Sequence, residues 1–577
     1  MLEKLFHMPR RMALLIMGAI IIMGLGLRIY RFDFPSIGYH NMKENEYLSM
    51  AQEMNSTGDF ISRRIYFYNP FEEKSVIRLY PQAPLITYQI IAAWKLLGEN
   101  IWGPRLFNIL FGVGSIIVIY FTAMLLFNNT LFALFTAFLL SFLPLAVFFS
   151  RNLQPESPAF FFMILGELCY LRFSATFKRY NLFLGGLFFS MAWLYKSSFL
   201  IGLFPVLWYF PFYGLFKERK EFSRCLKIAV ASFIFIPLTI AWFKCIGQWE
   251  FQELNRVQLF AIFTPTYWQQ YGKMIWWYTR GENFTLVYVI LTALGIIIAF
   301  VRRKGIIDRF IMGWAVAIIP YSMVFSDYIN QHNYYQMPFL TLACVASTYA
   351  LFIFSEIARQ EFKRYFLIFL LIAVAAGSVP WVYQSITRMH ATVFLGEEVA
   401  GETLQELTDP QERIFLNTFP QGVGIARYAR RYMGWPETFD DFKEKEGEFA
   451  IRYICFYPAE FARQLENKDK EMFDYIVANY HVKEVGLTEN PSQLLYVILE
   501  KGEGSDPATF LQSFSGKMQL KTMYRLFGRY VFLYVLRSAP GGTEAPAFSP
   551  VSPKDGRPVW PKFSDLILPL QQETVYS

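Results

Sequence analysis

Two glutamates near the start of the chain have the type and spacing of residues that act as a general base. Glu44 and Glu46 lie in the run Gly38-Tyr-His-Asn-Met-Lys-Glu-Asn-Glu-Tyr47, which closely follows the first apolar segment. A carboxylate takes the proton of an attacking hydroxyl or amine best when partial burial raises its pKa. The place of these two acids beside an apolar segment indicates chemistry at a membrane face.

Further ionisable residues recur at the ends of later apolar segments. They are Arg105, Arg151, Glu156, Lys196 and His332. Charges at membrane depth are costly, so a set that faces one side predicts a polar cavity there. Arg105 and Lys196 also fit a plainer interpretation, in which a long side chain extends from a helix end to the headgroup region.

Composition identifies the class of protein that carries these residues. Of the 577 residues, 54% are apolar and 19% aromatic. Long apolar runs follow one another from Met12 to about Tyr383, which indicates a polytopic membrane protein. The net charge of +8 does not indicate nucleic-acid binding, because Lys and Arg cluster in short loops between the apolar runs.

The apolar runs predict about eleven membrane spans. They lie near residues 12–30, 106–127, 130–149, 157–173, 182–196, 199–216, 226–246, 283–301, 310–325, 336–355 and 365–384. The distribution of basic residues places the N-terminus in the cytoplasm. An odd number of spans then puts the C-terminal region outside, together with the loops at 31–105 and 247–282. We expect the N-terminal run to be an uncleaved anchor, since no small-residue cleavage site follows it.

The predicted fold class is mainly α, with three parts along the chain. Residues 1–387 form a polytopic α-helical membrane domain with outer-face loop helices within 31–105. Residues 388–537 form an extracytoplasmic α/β domain, since strand-like runs at Ile414–Asn417, Ile451–Phe456 and Tyr530–Leu536 alternate with helical stretches. Residues 538–577 form a Pro-rich tail that we expect to be disordered or bound by a protein partner.

Weaker signals leave alternatives open. Helical spacing predicts loop helices around Tyr47–Met54 and at Leu85–Leu97. The aromatic residues of the 247–282 loop suit the headgroup level and can also stack on sugar rings. Gly422-Val-Gly424 after a predicted strand fits a strand-to-helix turn better than a nucleotide site. The five cysteines have neither disulfide-like nor ligand-like spacing.

Five short motifs in order resemble one enzyme family over roughly residues 12–345. They are Tyr47-Leu-Ser-Met-Ala-Gln-Glu-Met54 before Gly58-Asp59, Leu97-Gly98 before Arg105-Leu106-Phe107, Ser150-Arg-Asn-Leu-Gln-Pro-Glu156, Leu194-Tyr-Lys196, and His332-Asn-Tyr-Tyr335-Gln-Met-Pro338. The chain thereby resembles the GT-C membrane glycosyltransferases that use polyprenyl-phosphate sugars, particularly bacterial members akin to the aminoarabinose transferase and the protein mannosyltransferases of glycosyltransferase family 39.

The first loop departs from the family pattern. Alignment on Tyr47 places Lys43 and Glu44 opposite the usual Asp-Glu pair, so the first carboxylate is missing or displaced. Some relatives carry His-x-Trp-Arg-Gln there, which matches His40, Lys43 and Glu44. On this pattern Glu44 is the first choice for the base and Glu46 the second, while the plainer interpretation is that both are solvated surface acids.

The resemblance implies transfer of a sugar from a polyprenyl phosphate to a protein, lipid or cell-surface glycan, with inversion at the anomeric carbon. A first-loop carboxylate would be the base, with Glu156 as a second acid that orients the acceptor. The leaving phosphate would be stabilised by Arg105, Arg151, Lys196, His332 and Tyr335. No metal ligands are assigned, and a divalent cation held by oxygen and imidazole groups is left open as a cofactor.

The implied location is the bacterial cytoplasmic membrane, with the site on its outer face. Two other functions remain open on the residues alone. A catalytically silent GT-C scaffold subunit would explain the Lys43 departure. A lipid or solute transporter would place charges deep in the spans, whereas most of those seen here lie at outer ends.

Overall fold

The structure, a computed structural model, describes residues 8–67, 71, 83–217, 219–245, 259–357, 363–489, 492–503, 518–526 and 529–537. The predicted Pro-rich tail and the first third of the predicted aromatic loop, residues 247–258, lie outside this set. The chain divides into two compact units. The helical unit comprises Met1–Phe34 and Arg78–Met389, and the sheet unit comprises Pro35–Ile77 and His390–Ser577. The first loop therefore groups with the C-terminal part of the chain.

The helices as far as residue 391 follow the apolar runs of the sequence. In chain order they are α1 (Arg10–Ile29), α2 (Asn41–Thr57), α3 (Leu85–Leu97), α4 (Trp102–Phe127), α5 (Thr130–Phe142), α6 (Pro144–Phe149), α7 (Glu156–Thr176), α8 (Arg179–Tyr195), α9 (Leu203–Tyr209), α10 (Phe212–Lys217), α11 (Arg219–Ser232), α12 (Phe235–Cys245), α13 (Pro265–Trp277), α14 (Thr285–Arg302), α15 (Ile306–Val324), α16 (Ser326–Ile329), α17 (Leu340–Ile357) and α18 (Lys363–Ala391).

Eight helical stretches among the described residues are long and apolar enough to cross a membrane. They are Arg10–Ile29, Trp102–Phe127, Glu156–Thr176, Arg219–Cys245, Thr285–Arg302, Ile306–Val324, Asn333–Glu356 and Tyr365–Ala391. The chain is a multi-pass membrane protein of mainly helical fold, as predicted.

The other three predicted spans are shorter or interrupted helices, so the total of about eleven stays a prediction. One of them divides into α5 and α6 at Pro144, which has no N–H to continue the helix and instead occupies the first position of α6. Another is α8, of 17 residues. The third begins as a 3-10 helix, Ser197–Gly202, and continues as α9 and α10.

The connection between α7 and α8 decides where two predicted site residues meet. α7 ends at Thr176 and α8 begins at Arg179, so a very short turn joins the two helices, which pack along each other. Such helices run antiparallel. The start of α7, at Glu156, and the end of α8, next to Lys196, therefore lie at the same end of the pair.

The sheet unit is built on one mixed sheet. Its strands are β1 (Ile414–Thr418), β2 (Met433–Gly434), β3 (Tyr453–Tyr457), β4 (Tyr480–Glu489), β5 (Ser492–Lys501), β6 (Met518–Leu526) and β7 (Arg529–Arg537). The strand order is β2-β1-β3-β5-β4-β7-β6. β1 pairs in parallel with β2 and β3, and the remaining pairs are antiparallel. The predicted α/β character is confirmed.

Among its described residues, the sheet unit contains α2, which lies in the first loop, and five C-terminal helices. The latter are α19 (Glu397–Leu407), α20 (Val423–Ala429), α21 (Phe439–Glu448), α22 (Glu460–Lys468) and α23 (Lys470–Asn479). A core of apolar side chains from β1, β3, β4, β5 and α21 to α23 is buried, with Phe415 and Ile454 fully so. The first loop joins this unit through backbone pairing of Gly38 with Val393 and through contact between α2 and α20.

Candidate active site

A buried ion pair lies at the shared end of α7 and α8. The ammonium of Lys196 donates to Oε1 of Glu156, and the two side chains are 13% and 2% exposed. Lys196 is extended, between the end of α8 and the following 3-10 helix. The second oxygen of Glu156 has no hydrogen-bond partner among the described residues. A buried carboxylate oxygen of this kind is available to a ligand hydroxyl or amine.

Aromatic rings cover the ammonium of Lys196. Its Nζ lies 4.5 Å from the ring centroid of Tyr334 and 4.3 Å from that of Tyr335. The imidazole of His332 stacks on the Tyr334 ring with 5.0 Å between centroids. These residues belong to a 3-10 turn, Asn333–Phe339, that follows His332. The helical unit thus brings together four of its predicted site residues: Glu156, Lys196, His332 and Tyr335.

A chain of amide groups supports the turn that leads into Glu156. Nδ2 of Asn108 donates to the carbonyl of Gln154 at 3.1 Å, and Nε2 of Gln89 donates to Oδ1 of Asn108 at 2.7 Å. The Tyr195 hydroxyl donates to Oε1 of Gln89 at 3.3 Å. Sequence reasoning missed Asn108 and Gln89, although an amide three residues after Arg105 inside an apolar span is a visible signal.

The two predicted phosphate-binding arginines bond to backbone carbonyls. Nη1 of Arg105 donates to Phe32 at 3.0 Å and also to Phe34. Nη1 of Arg151 donates to Arg31 at 2.9 Å and to Tyr30 at 3.2 Å. Both arginines are buried and hold the short segment that follows α1. This placement differs from that of Lys196, which bonds to a carboxylate and faces aromatic rings.

The first-loop acids lie in α2, within the sheet unit. Oε2 of Glu44 accepts from the Ser36 hydroxyl at 2.6 Å, and Oε2 of Glu46 is 2.8 Å from the ammonium of Lys43. The exposed fractions of Glu44 and Glu46 are 4% and 2%. The interpretation that both are solvated surface acids is therefore wrong, because folding removes both from solvent.

A buried acid that sequence reasoning missed lies in the aromatic loop. Glu282 is in a π-helical turn, Tyr278–Asn283, and is 6% exposed. Its Oε2 accepts from Nδ2 of Asn333 at 2.9 Å, which connects this turn to the segment of Tyr334 and Tyr335. Single π-turns are frequent at functional sites. An isolated glutamate among tryptophans was the available signal.

Metal-binding side chains are not clustered in the part of the chain that the structure describes. There, no three His, Cys, Asp or Glu side chains come together in an arrangement that could hold a metal ion. The role of a divalent cation, which the sequence left open, stays open.

Comparison with known proteins matches the chain to a family model and to solved folds. Residues 21–255 match the family model described as dolichyl-phosphate-mannose-protein mannosyltransferase. That range includes Glu44, Glu46, Arg105, Arg151, Glu156 and Lys196, but neither His332 nor Tyr335. A search of curated proteins returned no significant match.

Two kinds of solved membrane glycosyltransferase share the architecture. The archaeal oligosaccharyltransferase AglB from Archaeoglobus fulgidus, in complex with an inhibitory peptide and a dolichol-phosphate, is 12% identical with a TM-score of 0.52. The match covers 84% of this chain and 74% of that one. ArnT from Cupriavidus metallidurans, bound to undecaprenyl phosphate, is 14% identical with a TM-score of 0.50, over 84% and 97% of the two chains. This chain has the GT-C fold.

The predicted GT-C resemblance is thus confirmed at the level of fold. Identity this low says nothing by itself about substrates. The roles that the sequence assigns to Glu44, Glu156 and Lys196 stay predictions.

Proposed function

We propose that the protein transfers a sugar from a polyprenyl-phosphate-linked donor to a hydroxyl or amine acceptor at the outer face of the membrane. The observation that supports this most directly is the buried Lys196, held by Glu156 under the rings of Tyr334 and Tyr335. A preorganised cation in a water-poor site stabilises the charge that develops on a departing phosphate.

The phosphate contacts fall into two groups in this proposal. Lys196, His332 and Tyr335 contact the donor phosphate, since they lie together around one ammonium group. Arg105 and Arg151 hold the carbonyls of the segment after α1, and their direct contact with phosphate stays a prediction.

Glu44 is the proposed general base, with Glu46 as the second choice. Glu46 forms an ion pair with Lys43, and Glu44 accepts a hydrogen bond from the Ser36 hydroxyl. The order of choice follows the first-loop motif, in which alignment on Tyr47 places Glu44 opposite the second acid of the usual pair. Glu156 positions Lys196, and its second oxygen orients the acceptor.

The reaction conserves atoms and charge without a metal. The acceptor oxygen or nitrogen forms a bond to the anomeric carbon, and the bond from that carbon to the phosphate oxygen breaks. The acceptor proton passes to Glu44, and the electron pair leaves with the polyprenyl phosphate. Attack opposite the leaving group inverts the anomeric configuration.

The proposed setting is the bacterial cytoplasmic membrane, with the N-terminus inside and the C-terminal domain outside. The basic loops support this orientation. Donor lipid, acceptor and surrounding membrane lipids are the expected partners. The sugar class, hexose or pentose, is left to experiment, as is a protein partner for residues 538–577.

The test is transfer of labelled sugar from polyprenyl-phosphate donors by purified wild-type protein, compared with Glu44→Gln and Glu156→Gln. Glu402→Gln, at an exposed position of α19, is the matched control. We expect the control to be fully active and Glu44→Gln to lose at least about 100-fold in rate, the size of a general-base contribution. Glu156→Gln should also lose activity, because it no longer holds Lys196 by an ion pair. Activity in both site variants would refute the assigned site. No transfer by the wild type with any donor would favour the scaffold alternative.

A further inference from the structure

We propose that the hydrogen bond between Asn41 and Glu397, together with the close approach at Gly424, is a positioning contact that fixes the helix carrying Glu44. The inference rests on the function proposed above. It concerns the sheet unit alone, in which α2, α19 and α20 all lie.

The contact joins α2 to the N-terminal turn of α19. Nδ2 of Asn41 donates to Oε2 of Glu397 at 2.6 Å and to the carbonyl of Gln421 at 3.3 Å. Asn41 is 1% exposed and Glu397 is fully buried. Because Asn41 precedes Glu44 by three residues, the two side chains lie on neighbouring positions of one helical face. Movement of Asn41 therefore moves Glu44.

A second series of hydrogen bonds connects α20 to Ser36, whose hydroxyl contacts Glu44. Nε of Arg427 donates to Oδ1 of Asn45 at 3.1 Å, and Nδ2 of Asn45 donates to the carbonyl of Ser36 at 2.8 Å. The backbone N–H of Ser36 donates to the Tyr428 hydroxyl at 3.1 Å. The Ser36 hydroxyl in turn donates to Glu44. Two successive residues of α20 thus hold the partner of the proposed base.

Gly424 lies against both series of hydrogen bonds, at a position where a side chain would not fit. A Cβ atom at this position would lie 2.4 Å from Oε2 of Glu397 and 2.8 Å from Nδ2 of Asn45. Both distances are shorter than a van der Waals contact, so the side chains of Glu397 and Asn45 would both have to shift. The Gly-x-Gly motif thus permits close approach of α2, α19 and α20. Sequence reasoning had placed it only at a strand-to-helix turn.

The environment of Glu397 favours its neutral form. Burial is the main reason why the pKa of Glu397 lies well above its ordinary value, and the nearby charge of Glu398 raises it further. The hydrogen bond from Asn41 acts in the opposite direction but is the smaller effect. The other oxygen of Glu397 has no partner among the described residues. A neutral acid is close in shape and polarity to glutamine. Glu397→Gln should therefore keep the bond to Asn41, whereas Glu397→Leu should lose it.

The structural measurement is amide hydrogen exchange of the full-length protein in detergent, over peptides covering residues 41–57. We expect faster exchange there in Gly424→Ala and Glu397→Leu, and wild-type exchange in Glu397→Gln. Gly447→Ala is the matched glycine control, because a Cβ at Gly447 meets nothing within 4 Å. Unchanged exchange in both Gly424→Ala and Glu397→Leu would overturn the inference.

The kinetic measurement tests the link to catalysis. In Gly424→Ala, kcat should fall by about 100-fold, the effect of misplacing a reacting group by roughly 1 Å, with KM for the donor nearly unchanged. Glu397→Gln should retain wild-type kcat. Faster exchange with unaltered kcat would also overturn the inference. Failure of the proposed function appears differently, as absence of transfer by the wild type or full activity of Glu44→Gln.

Discussion

At the scale of single residues, the ion pair of Lys196 and Glu156 carries a large desolvation cost, because both charged groups are largely buried. Both charges are largely removed from solvent, and each compensates the desolvation of the other. The cation also interacts with two ring faces, a geometry that contributes most when water is excluded. In the proposed function, this positive charge is kept in place for the donor phosphate.

Removing one partner of this pair should affect both stability and activity. Lys196→Met leaves Glu156 buried without its cation, which should lower the free energy of unfolding by about 3–5 kcal/mol and abolish transfer. Adding Glu156→Gln should restore most of the stability but none of the activity. Thermal unfolding in detergent and the transfer assay measure the two effects. Lys178→Met, at an exposed position, is the control, and a double variant no more stable than the single one would contradict the prediction.

The buried acid Glu398 predicts a pH dependence of stability. Burial, its largest cause, raises the pKa of Glu398 from 4.5 to about 7. The groups around it are Glu397, Glu402, Arg427 and the hydroxyl of Tyr524, which donates to it. Because folded protein then binds more protons than unfolded protein, stability is fullest below about pH 4.5 and falls as pH rises through about 7.

The change at Glu398 should reach at most about 3 kcal/mol, from 1.36 kcal/mol per pKa unit. Glu398→Gln should flatten the decrease in Tm between pH 5 and pH 8 in the full-length protein. Glu402→Gln, exposed on the same helix, should retain most of it. An identical pH slope in wild type and Glu398→Gln would show that the acid does not titrate in this range.

At the scale of elements, close packing of α14 on α17 requires a small residue. A Cβ on Gly295 would lie 2.1 Å from the carbonyl oxygen of Ala346, which is backbone and cannot rotate away. Small residues allow membrane helices to approach closely in this way.

Gly295→Ala should therefore separate α14 from α17 and destabilise the protein by about 1–3 kcal/mol, the usual effect of overpacking. Gly377→Ala in α18 is the control, since a Cβ there meets nothing within 4 Å. Thermal unfolding of the two variants in the same detergent provides the comparison. Equal Tm values would mean that the two helices can separate at no cost.

Element prediction succeeded for the loop helices, whose apolar spacing is regular, and failed for several strands, even where strands adjacent in sequence pair with each other. The residues around which helical spacing predicts the first loop helix, Tyr47–Met54, lie inside α2, which runs from Asn41 to Thr57. The second loop helix, α3, has the predicted bounds. Strands β2, β4, β5 and β6 were not predicted. In β4, Glu484 is fully buried and accepts hydrogen bonds from the hydroxyls of Thr403 and Tyr496. A charged residue that faces the core interrupts the alternation of apolar and polar residues by which a strand is predicted.

At the scale of the whole molecule, the proposed function predicts that binding of the polyprenyl-phosphate carrier stabilises the folded protein. A ligand at 100 times its Kd adds about 2.7 kcal/mol when it binds only the folded state. Undecaprenyl phosphate should raise the Tm of the wild type, whereas undecaprenol without phosphate should raise it less. Lys196→Met should remove the difference between the two lipids. An equal response of the wild type to both would refute a phosphate site.

The sequence by itself determined the membrane class, the positions of most long helices, the α/β character of the C-terminal part and the GT-C resemblance. Periodicity, apolar run length and ordered motifs are local properties, which can be recognised in a sequence without knowledge of tertiary contacts. The same local reasoning singled out Glu44, Glu156 and Lys196 as chemically capable residues.

Only the tertiary structure decided which of these residues have partners and what the partners are. It joined Lys196 to Glu156 across the α7–α8 turn and grouped the first loop, with Glu44, with residues about 350 positions away in sequence. It also showed that Gly424, which the sequence assigns to a turn, lies where α2, α19 and α20 meet. Such contacts depend on packing between distant segments, which no local pattern encodes.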